Sequence, residues 1–477
     1  MNYYSLNNPN NNHVDFKEAT IRGQAPDRGL YFPKDVPVLP DDFIDNLHRY
    51  SREEIAFRVI RPYTGDTLPE AELERIVYET LNFEASAPGG ARFDTHALGG
   101  AHVEASATGD NSGAQAVGPV IQNLPFEFPL VNITADIASL ELFHGPTLAF
   151  KDVGARFMSR CLGYFVRGND RPVTVLVATS GDTGGAVASG FYGIDEVEVV
   201  ILYPSGKVSS VQEQQLTTYD KNITALEIDG SFDDCQKMVK EAFADPTLRE
   251  ELFLTSANSI NVARWLPQQF YYFFALQQWP YKDHPPVISV PSGNFGNLCA
   301  GMMAWLSGLP VAHFIAACNV NDVVPIYLRT GTYEPKAARP TLSNAMDVGN
   351  PSNFIRILEI FHQQLPTLKQ VLSSYSITDE ETSAAIQALW KDYHYLADPH
   401  GAVGALALQR YLREHRGNKG IFLETAHPVK FYNTVEPVIG QTIPQPEVVA
   451  ALQHKEKRSK KMDARYSELK DFLLSYR

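Results

Sequence analysis

The sequence predicts an α/β protein, a parallel β-sheet with helices packed on both faces. Short β-branched runs recur at 173–180 (VTVLVATS), 197–204 (VEVVILYP), 223–229 (ITALEID), 286–292 (PVISVPS), 311–318 (VAHFIAAC) and 420–426 (GIFLETA). Each is bounded by Gly, Pro, Ser or Asn, and most lead into a helical pattern such as FDDCQKMVKEAFAD at 232–245. Strand, loop and helix in alternation bury both faces of a parallel sheet. Ligands of such sheets sit beyond the carboxyl ends of the strands, so the loops that follow them carry the chemistry.

The chain has 477 residues, enough for two or three domains. Apolar residues make up 44% and charged residues 20%, ordinary globular usage. A formal charge of −14 argues against nucleic acid or an anionic membrane as the main partner, but leaves room for a small anion in a locally positive pocket. Cys161, Cys235, Cys299 and Cys318 form no CxxC pair, so no metal site is expected, and they read as reduced, buried thiols of a cytoplasmic chain. The polar start, MNYYSLNNPNNNHVDF, has no secretory pattern, and the apolar stretch at 270–279 (FYYFFALQQW) is too short to cross a bilayer.

Four stretches follow along the chain. Residues 1–85 mix turns with helix: DRGLYFP (27–33) reads as a turn into an extended piece, and PEAELERIVYETL (69–81) has helical spacing of Leu73, Ile76 and Val77. Residues 86–119, rich in Gly and Ala, read as a flexible insertion. Residues 120–452 hold the α/β core, with a smaller lobe at about 155–258. The tail, 453–477, reads as a basic cluster followed by an amphipathic helix packed on the surface.

Three loops and one lysine are candidates for chemistry. SGDTGGA (180–186) puts small residues and hydroxyls at a helix start, where free N–H groups attract anions. Its D-T-G also suits an aspartic protease, but that chemistry needs a second such loop and an all-β fold, so it is rejected. PSGNFGN (291–297) can wrap a phosphate, or can be a glycine turn chosen for backbone geometry alone. Thr425 in TAHP offers a hydroxyl at a strand's carboxyl end, or a simple cap. Lys151 closes the apolar approach FHGPTLAF, where an ammonium either snorkels to water or is kept for reaction. An amine with a lowered pKa beside a phosphate cradle is what a pyridoxal-phosphate enzyme requires.

The motifs ELFHGPTLAFKD, TSGDTGGAVA, VPSGNFGN, SANSINVARW, TLSNAMDV and TAHPVKF together resemble the long form of the threonine synthase family, over nearly the whole chain. The resemblance implies a fold type II (tryptophan synthase β-like) enzyme with two interleaved parallel-sheet lobes and an N-terminal domain. It implies pyridoxal 5'-phosphate as cofactor and O-phospho-L-homoserine as substrate, converted with water to L-threonine and phosphate. Carried over by motif, Lys151 is the Schiff-base lysine, Gly293, Asn294, Phe295, Gly296 and Asn297 form the cofactor-phosphate loop, and Thr425 faces the pyridine nitrogen. Asp182 lies near the cofactor's 3'-oxygen. Ser180, Gly181 and Thr183 hold the substrate carboxylate. Ser256, Asn258, Asn261 and Arg264 bind its phosphate, with Lys207 as a further candidate, although Arg264 also suits a structural salt bridge. Freed by the substrate amine, Lys151 then serves as the general base. The family also implies a monomer or weak homodimer. Alternatives are a related lyase that yields a keto acid, and a non-catalytic binder of phosphorylated amino acids.

Overall fold

The computed structural model describes residues 1–9, 13–84, 123–125, 127–169 and 171–475. The expected insertion at 86–119 lies outside these residues. At the N-terminus β1 (Tyr3–Ser5) pairs antiparallel with β2 (Tyr31–Pro33), which follows the turn at DRGL. Three helices pack behind the pair: α1 (Phe16–Arg22), α2 (Arg52–Thr64) and α3 (Glu70–Leu81). A capping box fixes the start of α2, Ser51 accepting from Glu54 N while the Glu54 carboxylate accepts from Ser51 N. In α3 the buried residues are Leu73, Ile76, Val77, Thr80 and Leu81, the face that the helical spacing sets. A short antiparallel pair, β3 (Asn82–Glu84) and β4 (Asn123–Pro125), leads out of this region.

The chain then lays down β5 (Leu130–Asn132) and β6 (Ile137–Glu141). It leaves for a second sheet with β7 (Val173–Ala178), β8 (Val197–Pro204), β9 (Ile223–Asp229) and β10 (Phe253–Thr255). It returns with β11 (Val287–Pro291), β12 (His313–Cys318), β13 (Leu372–Ser376) and β14 (Gly420–Glu424), and ends with β15 (Ser459–Asp463). The larger sheet has the order β13-β12-β11-β14-β6-β5, parallel except for β5 at its edge. The smaller has the order β10-β7-β8-β9-β15 and is wholly parallel. Every residue of β7, β12 and β14 is buried, as two-sided cover by helices requires.

The helices that concern the site are α4 (Lys151–Val166), α5 (Asp182–Phe191), α6 (Ser210–Thr217), α7 (Gly296–Leu306) and α8 (Pro399–Glu414). Each of α4, α5 and α7 begins directly after the carboxyl end of a strand or its loop. All four cysteines are free and buried. Among the described residues no helix is long and apolar enough to cross a membrane.

The tail differs from the surface segment expected for it. Residues 459–463, SKKMD, add a parallel edge strand to β9 with Ser459 opposite Ala225, and α9 (Tyr466–Ser475) packs beside it. Lysines on an edge strand discourage pairing with another chain. Lys457 reaches Glu213 at 2.7 Å and Glu227 at 2.8 Å, so the basic cluster is anchored by acids of the smaller lobe. Leu469 and Leu473 are fully buried. Leu469→Ala is expected to cost about 2–5 kcal/mol in equilibrium unfolding, whereas a tail that merely lies on the surface predicts a loss within about 0.5 kcal/mol.

Candidate active site

The two sheets point the carboxyl ends of β6, β7, β11 and β14 into one cleft of about 1230 Å³. The loop from β6 to α4 is strapped to the loop after β14. Phe150 N donates to Thr425 O at 2.9 Å, His427 N donates to Leu148 O at 3.1 Å, and Ala149 bridges Ala426. Leu148 is held at φ 56°, an unusual value for a leucine, so this strap determines the backbone that presents Lys151. Lys151 and Thr425 are thereby fixed side by side, and both line the cleft.

Asp152, behind the lysine, accepts from Thr147 N at 2.9 Å and from the Thr147 hydroxyl. It closes the turn and does not face the cleft. The carbonyl of Thr147 in turn accepts from Gln215 Nε2 at 3.0 Å and from Lys430 Nζ at 2.7 Å.

Lys151 Nζ lies 3.7 Å from Asp182 Oδ2. Burial lowers its pKa from the ordinary lysine value; the Asp182 charge opposes this, and Lys430 and Arg264 reinforce it. Burial alone raises the pKa of Asp182, but Lys430 and Lys151, with hydrogen bonds from Lys430 and Gln212, hold it well below the usual carboxylate range. Lys430 Nζ and Gln212 Nε2 both sit 2.9 Å from Asp182 Oδ1.

Between β7 and α5, Thr179 Oγ1 accepts from Gly181 N at 3.0 Å and from Gly184 N at 2.8 Å. Gly181 has φ 138°, a conformation open to glycine, and packs against Gln212. Ser180, Asp182 and Thr183 line the cleft, but Gly181 does not.

After β11 the loop 292–295 delivers Gly293, Asn294, Phe295, Gly296 and Asn297 to the cleft. A Cβ on Gly293 would stand 2.6 Å from Met346 Cα, so no side chain fits. Phe295 caps α7 in the left-handed region (φ 62°). Asn294 is tied by Nδ2 to Ser259 Oγ at 2.7 Å, and its Oδ1 accepts from Ser352 N at 2.6 Å. Asn297 Oδ1 accepts from Tyr272 OH at 3.0 Å, while its Nδ2 is buried without a partner.

The expected phosphate-binding residues divide. Ser256, Asn258 and Arg264 line the cleft. Arg264 has two of its nitrogens engaged, Nε with Ala257 O at 2.7 Å and Nη1 with Lys151 O at 2.9 Å. Asn261 does not reach the cleft. It is fully buried, and its Nδ2 donates to Thr20 O at 2.8 Å while its Oδ1 caps the Val262–Trp265 turn. Lys207 also lies outside the lining. Neither expected ligand reaches the lining: the Asn261 amide is a structural tie to the N-terminal region, and Lys207 stands outside the cleft.

Four participants went unread in the sequence. Lys430 and Gln212 hold Asp182. His400, buried at the cleft wall, accepts from Ala345 N through Nε2 at 3.1 Å, leaving Nδ1 to donate to Asp398 Oδ1 at 2.6 Å. Arg356 is fully buried and donates to Tyr31 O, Ser259 O and Ile260 O, with its guanidinium 4.8 Å above the Trp265 ring. Asn353 joins Arg356 to Ser259, and so to the 292–295 loop.

The comparisons with known proteins agree with this geometry. The family model described as "Pyridoxal-phosphate dependent enzyme" matches residues 137–423, "Threonine synthase N terminus" matches 2–81 and "Threonine synthase, C-terminal" matches 401–473. The fold and site therefore define a pyridoxal-phosphate-dependent enzyme of fold type II. Threonine synthase of Escherichia coli K12 is 39% identical over 477 residues, covering 100% of both chains. That of Saccharomyces cerevisiae is 33% identical, covering 91% of this chain and 88% of its own. The crystal structure of the E. coli enzyme superposes with a TM-score of 0.84 at 38% identity over the full length of both chains. The pyridoxal-phosphate-bound threonine synthase of Brucella melitensis gives 0.85 at 32% identity, covering 100% of this chain and 99% of that one. This chain belongs to the threonine synthase family.

The residues present fit that cofactor. The 292–295 loop and the start of α7 offer backbone donors at the cleft, and the orphaned Asn297 Nδ2 lies at the same helix start. Lys151 supplies a desolvated amine and Thr425 a hydroxyl across the cleft floor.

Two outcomes follow from the buried polar groups. Arg356→Met leaves several carbonyls unpaired and is expected to destabilise the protein by at least about 3 kcal/mol in denaturant titration. Glu424, the last residue of β14, is fully buried, with Oε1 accepting from Asp398 N at 2.6 Å and Oε2 unpartnered. Burial, with the Asp398 charge second, pushes its pKa far above the ordinary value. A carboxyl with a raised folded pKa contributes fully below its unfolded pKa of about 4.3 and progressively less as pH rises toward the folded value. Glu424→Gln should therefore flatten the fall of stability between about pH 5 and pH 8; parallel curves for variant and wild type would refute the neutral acid.

Proposed function

We propose that the protein converts O-phospho-L-homoserine and water to L-threonine and phosphate, by elimination at the γ-carbon and hydration at the β-carbon. The observation that carries this reading is the convergence of Lys151, the 293–297 loop and Thr425 on one cleft, in a chain related to threonine synthases over its whole length. Bound pyridoxal phosphate supplies an aldehyde carbon for amines and a ring that delocalises the electrons left when a proton is removed.

This chain's residues do the rest. Lys151 Nζ would hold the cofactor by its aldehyde carbon. The backbone donors from Gly293 to Asn297 would hold the cofactor phosphate, the Thr425 hydroxyl would serve the pyridine nitrogen, and Asp182 would serve the 3'-oxygen. Ser180 and Thr183 orient the substrate carboxylate, while Ser256, Asn258 and the Arg264 charge receive its phosphate. Once free, Lys151 Nζ takes the proton from the α-carbon and then one from the β-carbon. Phosphate leaves the γ-carbon, one of the two protons returns there, water gives its hydroxyl to the β-carbon and its proton to the departing phosphate, and the α-carbon takes back the second proton before threonine is released. We read the working compartment as the cytoplasm, on the strength of four free, buried thiols.

Incubation of the purified protein with O-phosphohomoserine tests the reading by following both phosphate and amino acid. Equal yields of phosphate and threonine are expected. Phosphate with a keto acid would instead identify a lyase, and the absence of turnover a binder. Lys151→Ala is expected to lower turnover by more than about a thousandfold, and a variant retaining both the cofactor's visible absorption and its activity would refute the lysine assignment.

A further inference from the structure

Lys430 has no role in the proposed reaction, yet it sits behind the cleft-lining Asp182 with its side chain 0% exposed. It sits in the Pro428–Phe431 turn that follows β14. A lysine buried this completely is unfavourable unless paired, and a methionine would fill the same volume without that penalty. Its ammonium has two partners, Asp182 Oδ1 at 2.9 Å and Thr147 O at 2.7 Å. The carboxylate of Asp182 thus stands between two lysines: Oδ1 faces Lys430 and Oδ2 faces Lys151 at 3.7 Å. One lysine is locked against a carbonyl, and the other stands over the open cleft.

We propose that Lys430 is the fixed counter-ion of Asp182, a positioning residue that takes up the carboxylate's charge and leaves Lys151 free to act as an uncharged amine. The proposal rests on the reading of Lys151 as the lysine that carries the cofactor. The charged groups facing Lys151 are Asp182 from α5, Lys430 from the turn after β14, Arg264 from the Val262–Trp265 turn, and Asp398 from the start of α8. Asp182 and Asp398 favour the ammonium form of Lys151, while Lys430 and Arg264 oppose it. Without Lys430, Asp182 keeps Lys151 as its nearest cation, and the pair closes on itself. Without both Lys430 and the Asp182 charge, the opposing effects cancel. Asparagine matches aspartate in shape, so Asp182→Asn removes the charge alone.

The test is the rate at which cofactor-free, full-length protein forms its visible adduct with added pyridoxal phosphate, measured against pH. The reaction requires the uncharged amine, so the midpoint of the profile reports on Lys151. Lys430→Met should raise that midpoint by about one unit, slowing adduct formation about tenfold at pH values below it. Adding Asp182→Asn to Lys430→Met should return the midpoint to within about 0.3 unit of wild type, whatever the double variant's absolute rate. A Lys430→Met midpoint equal to wild type, or a double variant whose midpoint stays with that of the single one, overturns the proposal. If Lys430→Met fails to fold, by circular dichroism, the double variant decides alone: folding with a wild-type midpoint supports the charge pairing, and anything else rejects it. Lys151→Ala separates the proposal from the reading beneath it. An adduct formed at the wild-type rate in that variant removes both, whereas a silent Lys151→Ala with an unshifted Lys430→Met removes the proposal alone.

Discussion

One buried carboxylate organises the cleft. Asp182 opens a helix of the smaller lobe and is held from the same lobe by Gln212. Its charge is met by Lys430 and Lys151, which follow strands of the larger sheet. The ion pair therefore crosses the gap between the two sheets, where water is largely excluded and charge interactions are strong. If the carboxylate were removed, the lysines would repel each other; without the lysines, the carboxylate would be buried alone. Around this point the backbone straps of the 148–150 segment and the Thr147 hub keep the amine of Lys151 at the cleft floor.

A second network supports the opposite wall. Arg356 gathers the carbonyls of Tyr31, Ser259 and Ile260, so the N-terminal strand pair, the 256–261 loop and the helix that follows Asn353 meet at one guanidinium. From there Asn353 and Ser259 reach Asn294 in the glycine loop. The N-terminal region is thus mechanically part of the cofactor wall, although it contributes few residues to the chemistry. Asn261 belongs to the same fastening, with its amide directed at Thr20 O.

The parts legible in the sequence were those in which a short contiguous stretch carries its own physics. The strands of the sheet interiors are β-branched and flanked by turn residues, and the glycine loop and the lysine after an apolar approach declare themselves within about ten residues. What escaped the reading depends on partners distant in sequence. TAHPVKF drew attention for Thr425, and nothing local marks Lys430 as the partner of Asp182. Lys207 and Asn261 were candidates because of their residue type, but fold position directs them elsewhere. The edge strands LSSYS and SKKMD are too polar to read as strands, because an edge need not be apolar and can carry lysines as protection. Asp152 is a charge in the first turn of its helix and also closes the preceding turn through Thr147.

The central claim is that, of two lysines sharing one carboxylate, Lys151 carries the cofactor and Lys430 does not. Borohydride reduction of the holoenzyme, which turns the carbon–nitrogen double bond into a stable secondary amine, followed by proteolysis and mass spectrometry, tests it most directly. The label should lie on the peptide containing Lys151, with the Lys430 peptide unmodified. Label on Lys430, or on any lysine outside the cleft, would contradict the assignment.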